Sequence, residues 1–166
     1  MGRYPTLNAS LREQLRRIKP SISGRLNYYP CAAKLRNGEV LSCVYLVCDD
    51  PFVRMWGAYP EKDSGKKWVP LQEVVEVSDS LLRLPAKFAN KLYKHSESGM
   101  GYTIFTVLFS DLSRQAYGCG NAVDFIQYPE GKGPKNVLWV SPHKGRHAEN
   151  VLTSPPFSWS LYSEEP

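Results

Sequence analysis

The chain has 166 residues, of which 42% are hydrophobic and 22% charged, a composition typical of a soluble globular protein. A fold of this length buries roughly 70% of its unfolded surface, so we expect stability without disulfides or a metal. No apolar run approaches the roughly 20 residues of a membrane-spanning helix, and no N-terminal run is typical of a secretory signal, so we expect a cytoplasmic protein.

The net charge of +5 is concentrated at the N-terminus. Residues 1–25 carry six basic side chains and one acid, whereas residues 26–166 carry 15 of each sign. A helix is predicted over Asn8 to Ile18, because leucines recur there at helical spacing. Its basic side is a candidate phosphate-binding arm or a solvated face, and the helix could also mediate self-association. The candidate phosphate contacts are Arg12, Arg16, Arg17 and Lys19.

The four cysteines form no C-x-x-C pair and show no spacing typical of zinc sites. We therefore expect free thiols in a reducing compartment. His143 and His147 are four residues apart, but Gly145 lies between them and no third ligand is near in the sequence. The sequence predicts no metal and no cofactor.

The first strands are predicted around Asn37-Gly38, a dipeptide preferred in type I′ hairpin turns. Cys31 to Arg36 and Val40 to Val47 are the paired strands, and Ser21 to Pro30 is a connector. Phe52 to Tyr59 is predicted as a third strand, with a bend or bulge at Gly57.

The second half of the chain alternates helix and strand signals. Glu73 to Val77 is predicted as a strand, and the nearby Pro70 indicates an edge or a strand boundary. A helix begins at Pro85 and ends near Tyr93. A C-capping turn ending at Gly99 is expected to follow that helix. The remaining strands are predicted over 102–109, 114–118, 123–126 and 137–140, the last of them at an edge.

This strand spacing predicts a mainly β (α+β) fold. We expect a small, curved SH3-like antiparallel barrel or roll of five to six strands, with an N-terminal helix and one helix inserted before the last hairpin. The alternative is an open antiparallel sheet packed against two helices. We expect a basic helical arm (residues 1–25), a barrel domain (26–140) and an irregular tail (141–166). In that tail Phe157, Trp159 and Leu161 alternate with serines, a pattern that suits pairing along a sheet edge of this chain or of a second copy in a homodimer.

Two kinds of functional site follow from the sequence. Aromatic side chains are candidates for lining a groove that binds a peptide, a cation or a base. They are Tyr45, Trp56, Tyr59, Trp68 and Tyr117. An enzyme is the alternative, and it requires several polar residues to converge on one pocket. These are His95, Glu97, Asp111, Cys119 and Asp124.

The interpretation favoured by the sequence is a non-enzymatic binding module for a peptide or a nucleic acid. No catalytic motif supports a particular reaction: the glycine-rich loop over residues 96–101 follows a helix, whereas phosphate loops precede one. The alternatives are the enzyme described above and a structural subunit that associates through the tail or the first helix.

Overall fold

The computed structural model describes residues 2–95, 97–144 and 150–165. The chain divides into two compact units, Met1–Ser80 with Pro156–Pro166, and Leu81–Pro155. This grouping differs from the expected arm, barrel and tail. The elements in chain order are α1 (Ala9–Arg16), β1 (Ser21–Ser23), β2 (Leu26–Leu35), β3 (Val40–Cys48), α2 (Asp49–Trp56), β4 (Val74–Ser78), α3 (Ala86–Lys94), β5 (Thr103–Phe109), β6 (Arg114–Cys119), β7 (Val137–Pro142), β8 (Leu152–Thr153) and β9 (Ser158–Tyr162).

Each unit is built around one sheet. The first unit has a five-stranded sheet in the order β1-β2-β3-β9, with β4 also paired to β2. The second has a four-stranded sheet in the order β7-β5-β6-β8. The mixed α+β class with a high strand content is confirmed. The SH3-like barrel is not confirmed, because neither sheet closes on itself among the described residues.

Helix α1 forms as its leucine spacing predicts. Its apolar stripe is buried against the first sheet, beside Val44 and Val74. The side chain of Asn8 caps the helix by accepting a hydrogen bond from the Leu11 N–H at 2.8 Å. The predicted "arm" is therefore an integral part of the first unit. The buried stripe consists of Leu7, Leu11, Leu15 and Ile18.

The hairpin at Asn37-Gly38 is confirmed, but its predicted turn type is wrong. Only Gly38 of this dipeptide has a positive φ, +87°. The N–H of Gly38 donates to the Leu35 carbonyl and the N–H of Leu35 donates to the Glu39 carbonyl, which closes a three-residue loop. A type I turn followed by a left-handed glycine is the common three-residue solution. The predicted connector is also wrong, since β1 and half of β2 lie within Ser21 to Pro30.

The predicted third strand is helix α2. Asp49 and Asp50 lie in its first turn, where carboxylates favour the positive end of the helix dipole. Pro51 is tolerated there because the first helical N–H groups have no partner within the helix. Gly57, with φ of +74°, ends the helix by donating to the Val53 carbonyl. The glycine that suggested a bend is thus a helix cap.

Two further predictions were wrong. The 123–126 segment is not a strand: its pairing is an isolated bridge between Arg83 and Phe125, although Val123 and Phe125 are buried. The 141–166 segment is not irregular throughout, because β9 pairs in parallel with β3. The alternation of large residues with serines there reflects a strand with Trp159 buried.

Trp159 is the centre of an aromatic cluster in the first unit. Its ring centroid lies 4.7 Å from that of Tyr45, 4.9 Å from Phe52 and 5.3 Å from Trp56. The Trp56 Nε1 donates to the Tyr28 hydroxyl at 3.0 Å. Strand β9 therefore supplies the side chain around which α2, β2 and β3 pack.

We predict that Trp159→Ala destabilises the protein by about 3–5 kcal/mol, the usual cost of removing a buried tryptophan side chain. The measurement is urea unfolding followed by circular dichroism. Trp68→Ala is the matched control, since Trp68 is 39% exposed, and we expect it to destabilise the protein by less than half as much. Equal destabilisation in the two variants would contradict the central position of Trp159.

Candidate functional site on the open face of the second sheet

Strand β5 is the middle of the second sheet and has two different faces. It pairs antiparallel with β6 on one side and β7 on the other. Phe105, Val107 and Phe109 alternate along it and are buried in a cluster with Phe88 and Leu92 of α3. The pleat of a strand sends the intervening side chains to the opposite face, which α3 does not cover.

The uncovered face carries two rows of side chains across the strands. Leu108 pairs with Trp139 of β7 and with Arg114 of β6. One step along, Thr106 pairs with Ser141 and with Ala116. Because partners on neighbouring strands project to the same side, the first row is bulky and the second is small. We call this surface the open face. It comprises Thr106, Leu108, Arg114, Ala116, Trp139, Ser141 and His143.

These residues line a groove of about 550 Å³. Trp139 is 52% exposed and forms one wall, while Ser141, Thr106 and Ala116 form a floor of small side chains. His143 lies two residues beyond Ser141, and its Nε2 is 2.6 Å from the Thr106 Oγ1. The groove therefore offers an exposed indole beside a shallow floor with hydroxyl and imidazole groups.

Lys91 of α3 holds Trp139 in place. Its Nζ donates to the Val140 carbonyl at 3.0 Å and lies 3.2 Å from the centroid of the Trp139 ring. An ammonium over an indole is a favourable cation–π contact. The same side chain bonds to a main-chain carbonyl of the edge strand β7, a common way to protect a sheet edge.

The positive charge of the protein is distributed differently from what the sequence suggested. Residues 81–155 carry nine Lys or Arg and five Asp or Glu, a net of +4. Several N-terminal arginines pair with acids: Arg12 with Glu165 at 2.5 Å, and Arg16 with Glu13 at 3.5 Å. The equal numbers of acidic and basic residues over 26–166 therefore hide a net positive charge in the second unit, Leu81–Pro155. A phosphate-binding role for Arg12, Arg16, Arg17 and Lys19 stays a prediction.

The predicted aromatic set does not form one surface. Tyr45 and Tyr117 are 0% and 1% exposed, so they offer no surface to a ligand. Tyr117 lies in the core of the second unit, where its hydroxyl donates to the Gln127 carbonyl at 2.7 Å. Lys66 lies over the Trp56 ring at 4.7 Å and Arg3 over the Tyr59 ring at 3.9 Å.

These contacts place the chain's own cations where a cationic ligand of Trp56 or Tyr59 would bind. Trp68, 39% exposed, forms an isolated bridge with Trp159. For Trp56, Tyr59 and Trp68 a binding role stays a prediction.

The polar residues required by the enzyme alternative do not converge. Asp111 lies in the β5–β6 turn, where it pairs with Lys132 at 2.9 Å. Cys119 pairs with Thr103 at the other end of that hairpin, five residues beyond the Leu108–Arg114 pair. Five residues of strand span about 17 Å, which is beyond hydrogen-bond reach even through water. A single site containing both residues is therefore excluded.

The other members of that set have structural partners. Helix α3 ends at Lys94 with His95 as its cap, so the predicted cap at Gly99 is wrong. Glu97 accepts a hydrogen bond from the Gly101 N–H at 3.0 Å, in a turn where Gly101 has φ of +76°. Asp124 is 0% exposed and accepts a hydrogen bond from the Tyr93 hydroxyl.

Cys119 lacks the environment of a nucleophile. Burial, followed by the negative charge of Asp124, raises the pKa of its thiol to about 12. The Sγ donates to the Thr103 carbonyl at 3.6 Å. A reactive cysteine requires the opposite, a lowered pKa and partial exposure. None of the four cysteines, all of which lie in the described part of the chain, forms a disulfide.

The open face was missed from the sequence although its signal is present. Trp139, Ser141 and His143 alternate at the period of a strand, and so do Thr106 and Leu108. This alternation identifies an exposed surface only when the face of the sheet covered by α3 is known. His147, considered with His143 as a metal ligand, lies outside the described residues. Within the described ranges no group of three His, Cys, Asp or Glu is placed to hold a metal ion.

The sequence matches no protein-family model, and comparison with curated proteins and with solved structures finds no match. None of the helices in the described part of the chain has the length and apolarity needed to cross a membrane.

We predict that Cys119 resists alkylation in the folded protein. With a pKa of about 12, the thiol is protonated at pH 8, and its thiolate fraction rises only as the pH approaches that value. Iodoacetamide labelling at pH 8, followed by peptide mass spectrometry, should modify Cys119 at least tenfold more slowly than in urea-unfolded protein. Labelling of the folded protein at the rate of the unfolded protein would contradict this prediction and support a nucleophilic role for Cys119.

Proposed function

We propose that the protein is a non-enzymatic module that binds single-stranded nucleic acid on the open face of its second sheet. The observation that carries the proposal is the row formed by Trp139, Leu108 and Arg114 on an exposed sheet surface. An exposed indole supplies a platform on which any base can stack. An arginine in the same row supplies a partner for phosphate.

Charge supports a polyanionic ligand. Residues 81–155 have a net charge of +4, and among the described residues that line the groove none is acidic. Arg114 lies in the groove, and Lys144 is exposed one residue beyond His143. A positive surface attracts phosphates over several ångströms and increases the rate of encounter.

The shape of the groove favours a single strand over a duplex. Its floor consists of small side chains, and its wall is an indole ring, so a flat base can lie against Trp139 above Ser141 and Thr106. In a duplex the base faces are stacked on one another and cannot reach the indole. Proteins that recognise single strands stack the bases on aromatic side chains in this way.

A peptide that adds a strand to the sheet is less well supported. The edge of this sheet next to the groove is β7, where Lys91 already occupies the Val140 carbonyl. Pro142 lies in the same strand and has no N–H to donate. An SH3-like peptide groove would require a closed barrel.

Self-association through the C-terminal strand is also less favoured, because β9 already pairs with β3 of the same chain. The four free thiols suit a reducing compartment such as the cytoplasm.

We predict that Trp139→Ala weakens binding of fluorescein-labelled oligouridylate or oligothymidylate by roughly tenfold, because a base–aromatic stack contributes about 1–3 kcal/mol. The measurement is fluorescence anisotropy at fixed salt, with folding of the variant checked by circular dichroism. Trp68→Ala is the matched control, since it removes an exposed tryptophan of the other unit, and we expect its affinity within twofold of wild type. Equal effects of the two variants would overturn the proposal.

We predict that Arg114→Gln reduces the salt dependence of binding. Removing one phosphate-binding cation lowers the slope of log K against log salt by about 0.7 for a single strand. Arg16→Gln is the control for the predicted N-terminal arm and should leave the slope unchanged. A slope that falls for Arg16→Gln and not for Arg114→Gln would place the phosphates on α1 instead.

A further inference from the structure

A second depression adjoins the open face along the same strands. It has a volume of about 630 Å³ and a mainly apolar lining that includes Tyr102, Ile104, Gly118, Val151 and Thr153. Ile104 pairs with Gly118, two residues along from the Thr106–Ala116 pair. Because residues two apart project to the same face of a sheet, the depression continues the floor of the groove.

Gly118 leaves room for the Val151 side chain to pack over the sheet at this point. A Cβ at position 118 would lie 3.0 Å from the Val151 Cγ1, so that side chain already closes over the glycine. Thr153 pairs with Gly118 from β8 and is exposed at the rim. The two depressions are therefore neighbours along the same pair of strands, β5 and β6, and Val151 packs over Gly118 in the second of them.

We propose that this apolar depression is a second base subsite, so that the ligand is a single strand of at least three nucleotides that spans both depressions. This inference rests on the proposed function. Leu108 in the groove and Ile104 in the depression are four residues apart on β5, about 13 Å. Some RNA-binding modules stack about two or three bases on aromatic side chains of a four-stranded sheet.

The residues that line the depression favour a base over a phosphate at this end of the ligand. Among the described residues that line the depression, none is basic and none is acidic. Tyr102 offers an aromatic ring and Val151 offers apolar surface, whereas Ile104 lines the depression but is only 8% exposed. The phosphates of the strand are consequently held at the Arg114 end and a base at the Ile104 end.

The test is Thr153→Glu, which places a bulky negative group at the rim of the depression. Leu152→Glu is the matched control: it adds the same charge one residue away, and Leu152 pairs with Tyr117 and so projects to the other face of the sheet. Affinities are measured by competition of oligouridylates and oligothymidylates of two to eight nucleotides against a labelled octanucleotide. Circular dichroism confirms that both variants fold.

We expect wild-type affinity to rise steeply up to three or four nucleotides and slowly beyond. Thr153→Glu should weaken octanucleotide binding about tenfold and dinucleotide binding less than twofold, whereas Leu152→Glu should leave both unchanged.

The inference is overturned if the two glutamate variants behave alike, or if Thr153→Glu weakens all lengths equally. If Trp139→Ala still weakens binding in that case, only the second subsite fails and the proposed function stands. If Trp139→Ala is also without effect, the proposed function itself fails.

Discussion

The pleat of β5 is the constraint on which the candidate site depends. Alternate side chains of this strand must go to opposite faces, and α3 covers only one of them. Phe105, Val107 and Phe109 take the covered face and form the core of the second unit. The side chains between them are left on a surface whose neighbours are fixed by register, which brings Trp139 and Arg114 into one row.

On the open face, one side chain, Lys91, contributes both to packing and to positive charge. Lys91 leaves α3 at the edge of the sheet, bonds to Val140 and lies over the Trp139 ring. One side chain thereby protects the edge strand from pairing, orients the indole and adds positive charge. In the first unit, the two cations that lie over the Tyr59 and Trp56 rings are paired with acids of the same unit. Arg3 pairs with Glu61, and Lys66 pairs with Asp63. Exposed ion pairs of this kind contribute little to stability, but they reduce the charge that a ligand can reach.

The sequence predicted well those elements whose formation depends mainly on neighbouring residues. The leucine spacing of α1, the Asn37-Gly38 hairpin and the strands paired as β5 and β6 were all correct in kind. Some failures, such as the expected barrel, depended on contacts with distant segments. The 52–59 segment was predicted as a strand, but its local signals, the acidic first turn and the Gly57 cap, favour the helix that is observed. Closure into a barrel could not be decided from strand spacing.

The candidate site in the structure differs from the predicted one because the sequence did not show which aromatic side chains are buried. Aromatic content predicted a groove, yet Tyr45 and Tyr117 fill cores and Trp139 was not singled out. Burial depends on which face a helix covers, and that is a tertiary property. Net charge was similarly misleading, because ion pairs between the termini, such as Arg12 with Glu165, join residues far apart in sequence.

The most direct test of the account is to titrate ¹⁵N-labelled protein with an unlabelled oligouridylate and follow the backbone and indole N–H signals by NMR. The account predicts that the largest shifts fall on the Trp139 indole and on the backbone of Thr106, Arg114 and Ser141. Shifts confined to α1, or to the aromatic cluster around Trp159, would contradict it.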